Sequence, residues 1–196
     1  MESAKASAKA PEFTLDRPLA SAAAAIRSVL FSPRTFYLNF SEDGPMKEPA
    51  VFVMLVTAVT AILRLALTLI FGSHDALSAG VSVVEALVFV LLSPVIVAVL
   101  AGAYLLSIRT FVGKVGDFRG VYRMLAYAYG AMILFWVPIL NAFAFTYTTL
   151  VLMTLGIRYV YRTSLMMALV SALMAYVPAA IIFIFLQVFV SGLAFG

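Results

Sequence analysis

Two charged side chains, Arg64 and Glu85, stand deep within apolar stretches of this 196-residue chain. Arg64 interrupts AVTAILRLALTLIF and Glu85 interrupts GVSVVEALVFVLL. An isolated charge in hydrocarbon costs at least about 2.5 kcal/mol, so an opposite charge at the same depth is the expected remedy. Arg64 lies about seven residues before the end of its apolar run and Glu85 about nine after the start of the next. At about 1.5 Å per helical residue, both fall roughly 10–14 Å below the same surface. They are therefore read as an intramembrane ion pair, which leaves two meanings open. It could be a polar centre passing protons, ions or headgroups, as in a small channel or transporter. It could also be a structural pair locking two helices together, with Arg64 snorkelling outward.

Other chemistry is sparse. His74 and Asp75 are adjacent in a short polar turn, and one histidine cannot build a His-rich metal site. The chain contains no HExxH, GxxxxGK[ST] or GxSxG motif and no carboxylate cluster inside an apolar run. No catalytic residue, metal or cofactor is assigned, and the chain is read as non-enzymatic. With no cysteine, disulfide and thiolate chemistry are excluded.

The elements that must position these charges follow from composition. The chain is 64% hydrophobic and 11% charged, with a mean hydropathy of +1.09. Soluble domains are about 45–50% apolar and about 25% charged, so one water-soluble core cannot absorb this excess. The expected fold is all-α: a polytopic membrane protein with five transmembrane helices behind an amphipathic interfacial helix.

Residues 1–18 are rich in Ala, Ser and Lys without apolar periodicity, and read as a disordered tail. Residues 19–48 form the interfacial segment. Leu19, Ala22, Ile26, Val29 and Leu30 recur at helical spacing, and Phe36, Tyr37 and Phe40 add aromatic bulk next to Arg34. Such a helix lies in the membrane interface or packs beneath the bundle. Residues 49–196 carry five runs of about 20 apolar residues. These are about Pro49–Phe71, Ala76–Ile108, Phe118–Val137, Ala142–Tyr159 and Ser164–Val190, with Pro138 and Asn141 as the turn between the third and fourth.

Small and polar residues mark the faces that should meet other helices: Thr57, Thr60, Ala61 and Thr68 in the first run, and Ser164, Ala168, Ser171, Ala172, Ala175 and Ala179 in the fifth. Tyr122, Tyr127, Tyr129, Tyr159, Tyr161 and Trp136 fit interfacial aromatic belts.

The thirteen Lys and Arg residues fix an orientation. Apart from Arg64, all precede the first run or fall in the loops after the second and fourth. The second of these regions, SIRTFVGKVGDFRGVYR, holds Arg109, Lys114, Arg119 and Arg123 against the single acid Asp117. The positive-inside rule then places the N-terminus in the cytoplasm and the C-terminus across the membrane, as an odd number of crossings requires. The same cations should attract anionic lipid headgroups at about 1 kcal/mol each. Membrane lipids are thus the expected partners, with a membrane-protein partner or a second copy as further possibilities; nucleic acid is not.

Three stretches give the chain a family likeness: VLFSPRTFYLNF before the first run, FVGKVGDFRGVYRMLAYAYG entering the third, and GIRYVYRTS between the fourth and fifth. With these, the chain from about Ile26 onward resembles the Yip1 domain family of small membrane proteins. The resemblance implies a non-enzymatic role in organising membrane lipid, membrane shape or partner proteins. Eukaryotic relatives act in membrane traffic and bind Rab-type GTPases. The long acidic, proline-rich segment and the Asp-Leu-Tyr-Gly-Pro motif of those relatives are absent, so the likeness points to the prokaryotic branch and its cell membrane.

Overall fold

Proline opens the first two helices. α1 (Pro18–Phe31) begins with Pro18 in the first turn, where a missing N–H costs nothing, and its alanine run favours the helix. It stops at Ser32 because Pro33 disfavours a helical conformation in the residue before it, and Pro33 then starts α2 (Pro33–Leu38). The computed structural model describes residues 9–71 and 76–195, and His74 and Asp75 lie outside them.

Among the described residues every regular element is helical. α3 (Lys47–Phe71) and α4 (Ala76–Phe111) come next. The 113–117 loop turns on Gly113 and Gly116 at positive φ, and Asp117 caps α5 (Phe118–Ala128) by accepting from the Gly120 amide at 2.7 Å. A 3-10 segment, Tyr129–Leu134, continues from α5. α6 (Asn141–Thr146), a π-helical segment (Tyr147–Leu152) and α7 (Met153–Val160) form one continuous rod, followed by α8 (Leu165–Phe195).

Among the described residues, four stretches are long and apolar enough to cross a membrane: Lys47–Phe71, Val83–Phe111, Asn141–Val160 and Leu165–Phe185. Pro18–Phe31 is a shorter apolar helix. The expected third span is built differently from the rest. It is an 11-residue helix followed by a 3-10 turn rather than one long helix, and every residue from Gly120 to Ala128 is buried. α5 is thus the centre of the bundle, packed between α3, α4 and the π-helical segment.

Outward surfaces are apolar along the long helices, as lipid would require. Leu87, Leu91, Val95 and Val99 of α4 are exposed in a stripe, as are Leu173, Val177, Ile181 and Phe185 of α8. The opposite face of α8 carries Ala168, Ser171, Ala172, Ala175 and Ala179, all buried. There the Ser107 hydroxyl donates to the Ser171 carbonyl at 2.6 Å, which ties α4 to α8. This is the close approach that small residues permit between helices in lipid.

Candidate functional site

The loops at one end of the bundle meet around Arg123. Its guanidinium is 1% exposed. It pairs with Glu12 Oε2 at 3.0 Å and donates to the carbonyls of Pro45 at 2.9 Å and Ser41 at 3.4 Å. The group also lies 5.9 Å from the centre of the Phe40 ring. Gly44 lies against it, and a Cβ there would come within 2.5 Å of the guanidinium. Arg123 is therefore an internal cation that binds the 41–45 loop to α5, and not a surface member of the basic loop. Arg109, Lys114 and Arg119 are exposed, as that reading required.

Glu12 reveals a second departure. The expected disordered tail includes residues 9–17, yet these are docked on the bundle. Ala10 and Phe13 are buried, and Phe13 packs against Phe52 with ring centres 5.8 Å apart. Phe52 in turn meets Tyr127 at 5.4 Å, and Tyr127 meets Phe36 at 5.7 Å. Phe13 and Glu12 each meet a complementary buried group, and the Ala10 amide adds a hydrogen bond to the Asn39 carbonyl at 3.1 Å. Tyr122 and Tyr127, expected in an interfacial belt, are core residues for the same reason: their rings fill the space between α5 and its neighbours.

The apolar face of the interfacial segment packs on the bundle, one of the two placements its sequence left open. Val29, Phe36 and Tyr37 are buried, and Ile26, Leu30 and Phe40 are partly buried and packed on the core. Helix α2 lies against α7, and α1 against the 3-10 segment. The apolar face is used by the protein itself, which burial of aromatics against aromatics favours. Outward go Leu19 at 74%, Phe31 at 79% and Leu38 at 55% exposure, beside exposed Arg27 and Arg34.

The 160–163 turn completes this end. Arg34 and Arg158 both approach the Tyr159 ring, at 5.7 and 5.4 Å from its centre. Arg162 is exposed with φ of 51°, a conformation uncommon for a residue with a side chain. Tyr161 reaches under Gly116, where any Cβ would collide with its hydroxyl. Glu42 lies beside both Tyr161 and Gly120. Burial raises the Glu42 carboxyl above its ordinary value; neighbouring Asp117 and Asp43 add to this, and Tyr161 opposes it. The Tyr161 hydroxyl is pushed up by burial and then by the nearby Glu42 charge.

Arg64 and Glu85 line one cavity of about 390 Å³ within the bundle. Glu12 pairs with Lys9 and with Arg123, and Arg64 and Glu85 stand on the wall of the same cavity. Its walls are mainly apolar, with Phe89 and Ile96 from α4, Met132 and Phe135 near the 3-10 turn, and Phe183 from α8.

The irregular stretches of helical backbone gather here. The 3-10 segment contributes Tyr129, and the π-helical segment contributes Thr148 and Thr149. Pro94 follows Ser93, and Pro178 precedes Ala179. Irregular backbone at membrane depth is tolerated where protein or a cavity lies beside it. Pro94 cannot donate to the Val90 carbonyl four residues back, and the Ser93 hydroxyl takes its place at 2.9 Å. Thr60 donates to the Met132 carbonyl at 3.3 Å, and Tyr104 donates to the Thr149 carbonyl. Thr148, 1% exposed, has a hydroxyl with no protein partner.

Comparison with known families agrees with this arrangement of long apolar helices and basic loops. A family model described as the Yip1 domain matches residues 27–189. The chain belongs to the Yip1 domain family. No curated protein and no solved structure matches it. The Yip1 match takes in Arg123 and the whole cavity wall but begins after Glu12 and Phe13. The central cation of this Yip1 domain is therefore neutralised by a residue outside the matched segment. The family is one of membrane proteins, and this member is an integral, multi-pass one.

Proposed function

We propose that this Yip1 protein is a non-enzymatic organiser of membrane lipid, gathering anionic headgroups at its basic, cytoplasmic end and offering the same end to partner proteins. One observation carries the reading: the exposed cations Arg27, Arg34, Lys114, Arg119 and Arg162 stand on segments whose neighbours meet around Arg123 and Tyr161. Exposed Leu19, Phe31 and Leu38 beside them suit insertion between headgroups. Each cation near an anionic surface contributes about 1 kcal/mol, so several together outweigh the mixing entropy that disperses lipids.

In this reading the chain crosses the bilayer five times, with α5 and its 3-10 continuation as the third crossing. Eleven α-helical and six 3-10 residues extend about 28 Å, close to the roughly 30 Å hydrocarbon thickness. The N-terminus is then cytoplasmic and the C-terminus lies across the membrane of a prokaryotic cell.

The test uses the full chain in nanodiscs of mixed zwitterionic and anionic phospholipid, with lipids retained on the protein identified by native mass spectrometry. Anionic lipid should be enriched over its bulk fraction. Combined Arg27→Gln, Arg34→Gln, Arg119→Gln and Arg162→Gln substitution should abolish the enrichment. Retention that ignores lipid charge would overturn the proposal.

A further inference from the structure

Arg123 is buried within the matched segment, yet the carboxylate that meets it comes from outside that segment. The Ser41 and Pro45 carbonyls and the Phe40 ring surround the guanidinium from inside residues 27–189, and Glu12 closes on it at 3.0 Å. Beside this pair the Phe13 ring packs against Phe52, and the Ala10 amide donates to the Asn39 carbonyl at 3.1 Å. Ala10, Glu12 and Phe13 thus face the bundle, whereas Lys9, Pro11, Thr14 and Leu15 are exposed. Residues 10–13 fill a socket whose walls belong to the Yip1 domain: a buried arginine, an aromatic floor and a carbonyl at the rim.

We infer that this socket is a docking site for an extended peptide of a partner protein, one that presents a carboxylate followed by an aromatic residue. Residues 10–13 hold the site until such a peptide displaces them. The inference rests on the partner-binding part of the proposed function and not on the lipid part. Three observations favour this occupant. A buried cation needs an opposite charge, and here a separable strand of chain supplies it rather than a helix of the domain. The Glu12 carboxylate also fits imperfectly. Its Oε2 takes Arg123, while Oε1 is buried without a partner among the described residues. A buried acceptor left unmade weakens the contact, so a carboxylate that grips the guanidinium through both oxygens would compete.

The third observation is the kind of anchor. An arginine and an aromatic floor in a desolvated pocket are the groups that carry most of the energy in protein interfaces, and this socket holds both. A second copy of the chain is the poorer candidate. Residues 14–17 are all that separate Phe13 from α1, and the Thr14 amide donates to Ser21 Oγ on that helix at 3.0 Å. So short a tether returns each segment to its own socket, whereas a free peptide has no such constraint.

The experiment uses the full chain in nanodiscs of zwitterionic phospholipid and a fluorescent peptide of residues 9–16, KAPEFTLD, read by anisotropy. Glu12→Gln with Phe13→Ala loosens the resident segment. The peptide should bind this variant at least about tenfold more tightly than the parent, whose own segment competes at about millimolar effective concentration. Peptides with Gln for Glu12 or Ala for Phe13 should each bind about tenfold more weakly. Equal binding to variant and parent, or indifference to both peptide changes, would overturn the inference. An arm on the parent alone decides the matter if the variant fails to fold. There a peptide with a benzophenone in place of the Phe13 ring, at about 1 mM, should cross-link to Phe52 or Tyr127 and be suppressed by unlabelled peptide. Adducts scattered elsewhere, or none, would overturn the inference. A benzophenone at position 13 of the parent itself should give adducts within one chain; adducts joining two chains would assign the socket to a second copy and overturn the choice of partner. Without anionic lipid in the nanodisc, these readouts stand apart from the enrichment test of the lipid role.

Discussion

Arginine faces glutamate in two parts of this molecule, on opposite terms. At the basic end Arg123 is sealed against Glu12 at 3.0 Å, with two backbone carbonyls completing its surroundings. Within the bundle Arg64 and Glu85 line a cavity, the first exposed and the second half-buried. The first arrangement satisfies a buried charge by closing protein around it. The second leaves two charges on a cavity wall, less enclosed by protein. Identical residue types thus build a rivet in one place and a cavity wall in the other, and the difference lies in how tightly the neighbouring backbone packs.

Breaking the rivet should have the largest effect. Arg123→Met leaves Glu12 with only the 3.6 Å contact to exposed Lys9 and strands two carbonyls, and is expected to cost about 3–5 kcal/mol, read as a lowered Tm in detergent. Arg64→Met, at the open site, should cost less than about half of that. Equal losses would erase the distinction between the two regions. Adding Glu12→Leu to Arg123→Met should recover part of the loss, because the pair would then be replaced by apolar volume.

Next in size is the anchor of the N-terminal segment. Phe13→Ala removes a fully buried ring from its place on Phe52 and should cost about 3 kcal/mol. Limited proteolysis should then cut between residues 9 and 17 in the variant and spare the parent. A variant as protease-resistant as the parent would mean that Glu12 and the Ala10 and Thr14 hydrogen bonds hold the segment without the ring.

At the cavity, Ser93→Ala frees the Val90 carbonyl opposite Pro94 and should cost only about 0.6 kcal/mol, the average for a hydrogen bond inside a membrane protein. The smallest effect belongs to Glu42. Its carboxyl is raised by burial, so the folded state holds the proton more tightly than the unfolded one. Ionisation therefore erodes stability as pH rises from the unfolded value through the folded one. Glu42→Gln should raise Tm slightly at pH 7, and the advantage should vanish below about pH 4. A variant less stable than the parent at pH 7 would reverse the sign.

The long apolar helices and their basic loops were legible in the sequence because hydropathy and charge are local properties. The small-residue face of α8 was legible too, since Ala168, Ala172 and Ala175 repeat at helical spacing. The role of α5 was not. Hydropathy cannot separate a helix facing lipid from one surrounded by protein, although Gly120, Ala126 and Gly130 beside Arg123 hinted at close neighbours. The docking of Phe13 and Glu12 depends on partners 39 and 111 positions away, Phe52 and Arg123, which no local pattern announces. At the cavity, the sequence placed Arg64 and Glu85 on adjoining helices but could not show the gap that Pro94, the 3-10 turn and the π-helical segment leave between them.

The account rests on α5 and its continuation carrying the chain across the bilayer, so that the basic loops collect on one side. Single cysteines at Lys114 and Asn141, in a chain with none of its own, test this in sealed vesicles with a membrane-impermeant maleimide. The account predicts that the two positions label from opposite sides. Labelling of both from the same side would contradict it.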